Sequence, residues 1–166
     1  MIKKVLGLFL AVMMLMGFNI ISYAANDSGK IELSKLDKIG NLTDMAKDIE
    51  NKKGIVTPML WTGEKIPQVT SIDLYDYGTL ENGNFAVIIE VMGYGREDTY
   101  FNGNKISYIQ NSPIVLYGTG ADGFLYLYDC GEITNSGNYL FKTTFTSQEY
   151  PYSKVSASYP FDITVD

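Results

Sequence analysis

Apolar and polar positions alternate in short runs over most of this chain, and turn-forming residues separate the runs. Ile55 to Trp61, Val69 to Tyr77, Asn84 to Gly93, Lys105 to Gln110, Pro113 to Gly118, Phe124 to Asp129, Asn138 to Ser147 and Tyr159 to Val165 each read as a strand. They are rich in β-branched and aromatic residues and are bounded by Gly, Asn, Asp or Pro. In Asn138 to Ser147 the alternation is regular. Tyr139, Phe141, Thr143 and Phe145 share one face, and Leu140, Lys142, Thr144 and Thr146 share the other. That predicts an antiparallel strand with one buried and one wet side. Phe85 to Val91 is apolar on both faces except at Glu90, which predicts a central strand. Asn102-Gly103 between two short runs is a two-residue hairpin signal. Asn82-Gly83 and Asp122-Gly123 mark further turns. Eight short strands without intervening helical periodicity predict an all-β antiparallel sandwich or barrel.

One stretch departs from this period. Between Ile31 and Lys53, Leu36, Ile39, Met45, Ala46 and Ile49 recur at spacings near three and four. Thr43 is placed to cap a helix from about Asp44 to Lys52, with Gly54 just past its end. Such a piece either docks on the domain or acts as a spacer. The expected organisation is a segment to be removed at 1–24, a flexible or helical lead at 25–53 and a β-sandwich domain at 54–166.

The amino terminus carries the other departure. Lys3 and Lys4 precede an apolar run from Val5 to Phe18, and Ser22 and Ala24 supply small residues at the −3 and −1 positions of a cleavage site. This is the order of a secretory signal peptide. The rival reading is an uncleaved membrane anchor. However, the apolar stretch is interrupted by Asn19 and falls short of the roughly 20 residues that cross a bilayer comfortably. Ala24, Ala25 and Asn26 leave no cysteine for a lipoprotein anchor. The expectation is a secreted, extracellular chain with no membrane insertion after cleavage.

Composition narrows the chemistry. A cut after Ala24 leaves 142 of the 166 residues, enough for one domain with a proper core. Losing Lys3 and Lys4 from 13 basic residues leaves 11 against 19 acidic ones, a balance of −8. That argues against nucleic acid and anionic membranes as partners. Histidine is absent, which removes Ser–His and Cys–His nucleophile pairs and the commonest zinc ligand. Cys130 is the sole cysteine, so no intramolecular disulfide forms. It is either a buried apolar residue or a free thiol. The frequent Lys, Ile, Asn and Tyr suggest an AT-rich bacterial genome, in which the sequons at Asn26 and Asn41 carry no meaning.

Several residues are candidates for chemistry. Gly93-Tyr94-Gly95 lacks the further glycines and the helix of a phosphate loop and reads as a bulge or tight turn. Asp122, Asp129 and Glu132 surround a glycine-containing turn and could hold calcium, although their spacing is not that of an EF-hand. No cofactor is expected. Glu90, Asp73 and Asp76 are the acids near predicted strands from which a polysaccharide hydrolase would need a pair, with Glu90 and Asp73 the leading two. Glu90, in an apolar strand, needs a partner, which Lys142 or Arg96 could supply. Tyr75 with Tyr77, Tyr126 with Tyr128 and Tyr150 with Tyr152 form short pairs. Residues two apart in a strand share a face. If Leu125, Leu127, Ile72 and Leu74 face inward, the tyrosines form outward aromatic strips suited to stacking on sugar rings or docking a protein. The alternative is that they pair across strands and stabilise the sheet. Tyr150 and Tyr152 sit in a loop, Ser147 to Lys154, joining the last two strands.

Asn135-Ser136-Gly137-Asn138-Tyr139-Leu140-Phe141 resembles the Asp-Ser-Gly-x-Tyr-x-Cys signature of immunoglobulin-like domains. Leu125, Leu127 and Cys130 resemble the apolar positions of the strand before it. The resemblance covers roughly 20 residues and implies an Ig-like sandwich in which the Tyr139 hydroxyl bonds back to the backbone a few residues earlier. Asn stands in place of the Asp, and Phe141 in place of the disulfide cysteine. Trp61 lies too early to be the buried Trp of that family. Asp76-Tyr77-Gly78, Glu90-Val91-Met92-Gly93-Tyr94-Gly95, Asn102-Gly103 and Gly120-Ala121-Asp122-Gly123, in that order, look like short secreted proteins of Gram-positive bacteria without assigned function. That likeness implies location and fold, not an activity.

The sequence therefore points to a secreted non-catalytic binding module for a cell-surface or wall glycan or a protein, with Tyr75, Tyr77, Tyr126, Tyr128, Tyr150 and Tyr152 as ligand-binding candidates. The alternatives are a carboxylate-dependent polysaccharide hydrolase and a small secreted antagonist or toxin.

Overall fold

The long apolar strands stack as two sheets, and a helix covers the outside of one of them. In the computed structural model the described residues are 19–23, 29–53, 67–116 and 120–166, with side chains described from 29 onward. The expected strand Ile55 to Trp61, the end of the Pro113 to Gly118 run, Gly54 and the expected signal segment outside 19–23 lie outside these residues. Ten strands follow in chain order: β1 Asn19–Tyr23, β2 Ile31–Glu32, β3 Ser71–Thr79, β4 Phe85–Met92, β5 Gly95–Phe101, β6 Asn104–Ile106, β7 Tyr108–Ile114, β8 Gly123–Gly131, β9 Gly137–Ser147 and β10 Lys154–Thr164. The larger sheet has the order β1-β10-β9-β5-β6, with β2 also pairing with β10. The smaller sheet has the order β3-β4-β8-β7. All pairings are antiparallel except those of β1 and β2, which run parallel to β10. The all-β sandwich read from the sequence is the observed architecture.

Helix α1, Leu42–Lys53, lies across β7 and β8 on the outer face of the smaller sheet. Its cap is Asn41, not Thr43. The Asn41 side-chain oxygen accepts hydrogen bonds from the Thr43 and Asp44 amides at 2.9 and 3.3 Å. The helix therefore starts two residues earlier than expected. Asp44 in the first turn and Lys52 and Lys53 in the last suit the helix dipole. Leu42, Ala46 and Ile49 form the buried stripe. Of the two fates open to this segment, docking is the one adopted.

The helix gives the molecule a second core. Phe85, Val87, Ile89 and Val91 of β4 point between the sheets, where they meet Tyr128, Phe141, Phe145, Tyr159 and Phe161. Ala86 and Ile88 point the other way, into a cluster with Leu42, Ala46, Ile49, Ile114, Leu125 and Leu127. This explains why β4 reads as apolar throughout: it is flanked by β3 and β8 and covered on both faces.

The turns follow their residues. Asn102 and Gly103 have φ of 48° and 83°, the left-handed pair that a tight β5–β6 hairpin requires. Gly93 has φ of 96°, and a Cβ there would lie 2.1 Å from the Gln68 carbonyl oxygen. Only glycine fits at this corner, where the chain leaves the smaller sheet for the larger. The corner explains Gly93-Tyr94-Gly95 without any phosphate loop. Pro113 is tolerated because β7 is an edge strand. In β9, Phe141, Thr143 and Phe145 are buried while Leu140 and Lys142 are exposed, as the alternation predicts. The Tyr139 hydroxyl donates to the Asn135 carbonyl at 2.7 Å, which pins the start of that strand.

Further features depart from the sequence reading, among them β1 and β2, which fall in the expected signal and lead segments. β5 is not among the expected strands, because Arg96-Glu97-Asp98 looks like a solvated charge run. The single strand read over Lys105 to Gln110 is instead β6 in the larger sheet and the start of β7 in the smaller.

Candidate functional site

The sheets part where β5 and β9 of the larger sheet lie over β7 and β8 of the smaller one. The opening is a cleft of about 300 Å³. Tyr108 comes from the edge strand β7, Phe124 and Tyr126 from β8, and Phe145 from β9. Tyr94 stands on the corner between β4 and β5, held by a hydrogen bond from its hydroxyl to the Ala121 carbonyl at 2.8 Å. The rings meet at steep angles. Tyr94 and Phe124 are 5.2 Å apart at 89°, and Tyr108 and Tyr126 are 5.0 Å apart at 64°. Tyr126 also contacts Phe145 at 5.2 Å. Such edge-to-face contacts hold the rings as fixed walls.

The acidic side chain of the cleft is Glu97, with Arg96, Asn111 and Gln148 also at its wall. It alternates inward along β5 with Thr99 and Phe101, while Arg96 and Asp98 are exposed. The Tyr128 hydroxyl donates to Glu97 Oε2, and Thr99 Oγ1 lies 3.4 Å from the same oxygen. Thr99 in turn shares a 2.7 Å hydrogen bond with Thr143 in the dry interior. Burial, and then the bond to Glu97, push the Tyr128 phenol well above its ordinary value. Burial does the same to Tyr126, helped by its neighbour Tyr108. Both therefore remain neutral phenols at any physiological pH. Among the described residues no lysine or arginine pairs with Glu97.

The sequence-predicted residues divide unevenly. Tyr126 and Tyr128 do share a face, but it is the inner one. They are 7 % and 0 % exposed. The outward strip does not form, because α1 covers the face that Leu125 and Leu127 occupy. Tyr126 nonetheless lines the cleft, and Tyr128 supports Glu97 behind it. Tyr75 and Tyr77 do not share a face. A bulge between Leu74 and Asp76 shifts the register. Tyr77 packs against the inter-sheet core and Tyr75 against the helix-side cluster. Tyr150 and Tyr152 are 83 % and 58 % exposed, with rings 6.1 Å apart. Their loop starts at Gln148, a residue of the cleft wall whose amide donates to the Tyr94 carbonyl at 3.3 Å.

Glu90 takes neither expected partner. It lies on the outer face of β4 and accepts a hydrogen bond from Lys53 at the end of α1. Lys142 and Arg96 belong to the other sheet. Asp73 is the direct cross-strand neighbour of Glu90. The two acids thus sit side by side on one sheet face and do not oppose each other across a cleft. Asp122 and Asp129 stand at opposite ends of β8, roughly 20 Å apart by strand rise. Asp122 accepts from the Leu116 amide, and Asp129 from the Asn84 side chain and the Gly131 amide. Turn formation explains both. Among the described residues no three His, Cys, Asp or Glu side chains gather to hold a metal. Cys130 is a free thiol packed, partly buried, against the inter-sheet core, and burial raises its pKa. No helix among the described residues is long and apolar enough to cross a membrane.

Sequence reasoning missed Tyr94, Glu97 and Tyr108 as cleft residues. Tyr94 is hidden between turn glycines. Glu97 is hidden in a charge run, although its alternation with Thr99 and Phe101 is a visible sign of an inward face. Comparison with protein families, curated proteins and solved structures finds no match for this chain.

Proposed function

We propose that this chain is a secreted, non-catalytic binding module that holds an extracellular ligand in the aromatic cleft between its sheets. The observation that carries this reading is the cleft itself, where neutral rings fixed at steep angles surround the Glu97 carboxylate. Concave, mostly apolar sites with few converging polar groups are the usual form of a small-ligand site. The exposed Tyr150–Tyr152 loop beside Gln148 extends the same end of the molecule toward a larger partner, such as a wall glycan or a protein. Export rests on the Lys3-Lys4, apolar and Ser22-x-Ala24 pattern; cleavage after Ala24 would remove β1 and leave β10 paired with β9 and β2. The Tyr139–Asn135 bond supports reading the sandwich as Ig-like.

Hydrolysis fits less well. Among the described residues the cleft offers one carboxylate, whereas glycoside hydrolysis uses two acids on either side of the bond. Asp73 and Glu90 lie on the outer face of the smaller sheet, and Glu90 is engaged with Lys53.

The test is co-sedimentation of the purified protein with insoluble wall and plant polysaccharides and with intact cells, followed by assay for released sugar. Retention without release is expected. Tyr108 is 41 % exposed. Its replacement by Ala should lower retention about tenfold, as loss of a stacking ring does, with the domain still folded and only a small drop in melting temperature from the lost Tyr126 contact. Released sugar, or retention indifferent to Tyr108→Ala, would overturn the proposal.

A further inference from the structure

The cleft contains an imbalance that a neutral ligand would leave in place. Glu97 lines an open cleft whose walls carry five aromatic rings, and among the described residues its hydrogen-bond partners are hydroxyls, from Tyr128 and Thr99. An acid partly removed from water is costly without a countercharge. Lys105, on the neighbouring strand β6, is committed elsewhere. It pairs with Asp98 at 2.7 Å on the outer face of the larger sheet and stands 5.9 Å from the Tyr100 ring centroid. Arg96 borders the cleft, but its side chain is exposed and alternates away from Glu97.

The enclosure around Glu97 has the features that attract a cation. The faces of phenol and phenyl rings carry negative potential, and a cation within about 6 Å of a ring centroid is drawn to it. Tyr108, Tyr126, Phe124 and Tyr94 form a continuous set of such rings, with successive centroids 5.0, 5.8 and 5.2 Å apart. Because neighbouring rings are tilted steeply, one ligand can meet more than one of them. The chain as a whole carries a net charge of −6, which favours cations at long range.

We infer that the cleft binds a quaternary ammonium group, with its charge set against the Tyr126 and Tyr108 rings and opposite Glu97. This inference rests on reading the cleft as a binding site and names the chemistry it selects. A quaternary ammonium fits better than a primary one. A primary ammonium brings three N–H donors that each need an acceptor. Here Glu97 Oε2 already receives Tyr128, and the other side-chain amide acceptors in the wall are Asn111 and Gln148, beside five aromatic rings. A quaternary ammonium has no donors to satisfy and sheds its water easily. The volume of about 300 Å³ accommodates such a head group with part of the chain it terminates.

The experiment is a titration of the purified protein with tetramethylammonium chloride at constant ionic strength, followed by amide chemical shifts. The same titration uses neopentyl alcohol, a neutral molecule of similar shape. Saturable shifts centred on residues 94–97, 108–111 and 124–126 are expected with the cation. The neutral isostere should bind at least about tenfold more weakly, the scale of a cation–ring and carboxylate contribution in a partly dry site. Glu97→Gln, which keeps an acceptor for Tyr128, should weaken the cation about tenfold while leaving the neutral probe unchanged. Tyr108→Leu should weaken the cation by a similar factor, and Tyr100→Leu, on the other face, should not.

Equal binding of the two probes, or indifference to Glu97→Gln, would overturn the cation specificity. Failure of the cation alongside polysaccharide or cell retention that depends on Tyr108 would also remove it, but would leave the cleft as a binding site. Failure of both would remove the binding reading as well.

Discussion

Glu90 and Glu97 are close in sequence, yet the two regions around them are built on opposite plans. Glu90 lies on the outer face of β4, beneath the end of α1, and is 8 % exposed. Its neighbours on that face are Ile88 along the strand and Asp73 and Leu125 across it, and Lys53 reaches down from the helix to meet it. Glu97 lies between the sheets, at the mouth of a cleft, and meets phenol and threonine hydroxyls. The first acid is neutralised from within the fold. The second is held in position by hydroxyls, and among the described residues no lysine or arginine forms an ion pair with it. A carboxylate with its own lysine stabilises a junction between elements. A carboxylate supported by neutral donors presents charge to whatever enters. This contrast, more than either residue alone, separates the helix-covered face from the cleft proposed as the binding site.

The strongest way to break the comparison is to remove the cover over Glu90. Leu42 is 1 % exposed and anchors the first turn of α1 in the helix-side cluster. Leu42→Ala should lower stability by about 3 kcal/mol in urea unfolding, the middle of the range for such core truncations. A loss below about 1 kcal/mol would mean that the helix rests loosely on the sheet and that Glu90 is not enclosed. Cation binding at the cleft, on the far side of the same sheet, should be unaffected.

A smaller effect is expected from Lys53→Ala, which strands Glu90. Removing one partner of a buried pair can cost several kcal/mol. The Lys53 side chain is 43 % exposed, however, so water compensates in part. A loss of about 1–2 kcal/mol is expected after that discount. Glu90→Leu should restore most of it in the double variant, since an apolar side chain suits the Ala86 and Ile88 face. If the double variant is no more stable than Lys53→Ala alone, the pair is not what Lys53 contributes.

The sequence made some of this legible. The apolar run of β4, interrupted only at Glu90, announced a central strand, and the helix over the outer face of its sheet accounts for apolar residues on both of its sides. The period of β9 predicted which side chains enter the core. Asn102-Gly103 marked its hairpin because few residue pairs adopt two left-handed conformations in succession. What failed was the facing of β8. In Phe124-Leu125-Tyr126-Leu127-Tyr128 both alternating sets are apolar enough to be buried, so period alone could not tell which faced the other sheet. The answer came from α1, whose Ala46 and Ile49 claim the leucine side. The bulge at Leu74–Asp76 has no glycine or proline to signal it, and it separated Tyr75 from Tyr77. The cleft was illegible for a related reason. Its wall is assembled from four strands and a corner, and its acid sits in a run of charges that resembles a solvated edge.

The finest test of the contrast is Tyr128→Phe. Tyr128 is fully buried and its hydroxyl donates to Glu97. The substitution keeps the ring, and its edge-to-face contact with Phe141 at 5.1 Å, while deleting the donor. Thr99 Oγ1, at 3.4 Å from Glu97 Oε2, is too distant to replace it fully. Stability should fall by about 1 kcal/mol, the net worth of one hydrogen bond, measured by urea unfolding. Tetramethylammonium binding should weaken by less than Glu97→Gln weakens it, because the charge remains and only its support is lost. A Tyr128→Phe variant as stable as the parent would place the Glu97 carboxylate in water like any surface acid. The two glutamates would then differ only in whether a lysine happens to lie nearby, and the cleft would have no held charge to offer a cation.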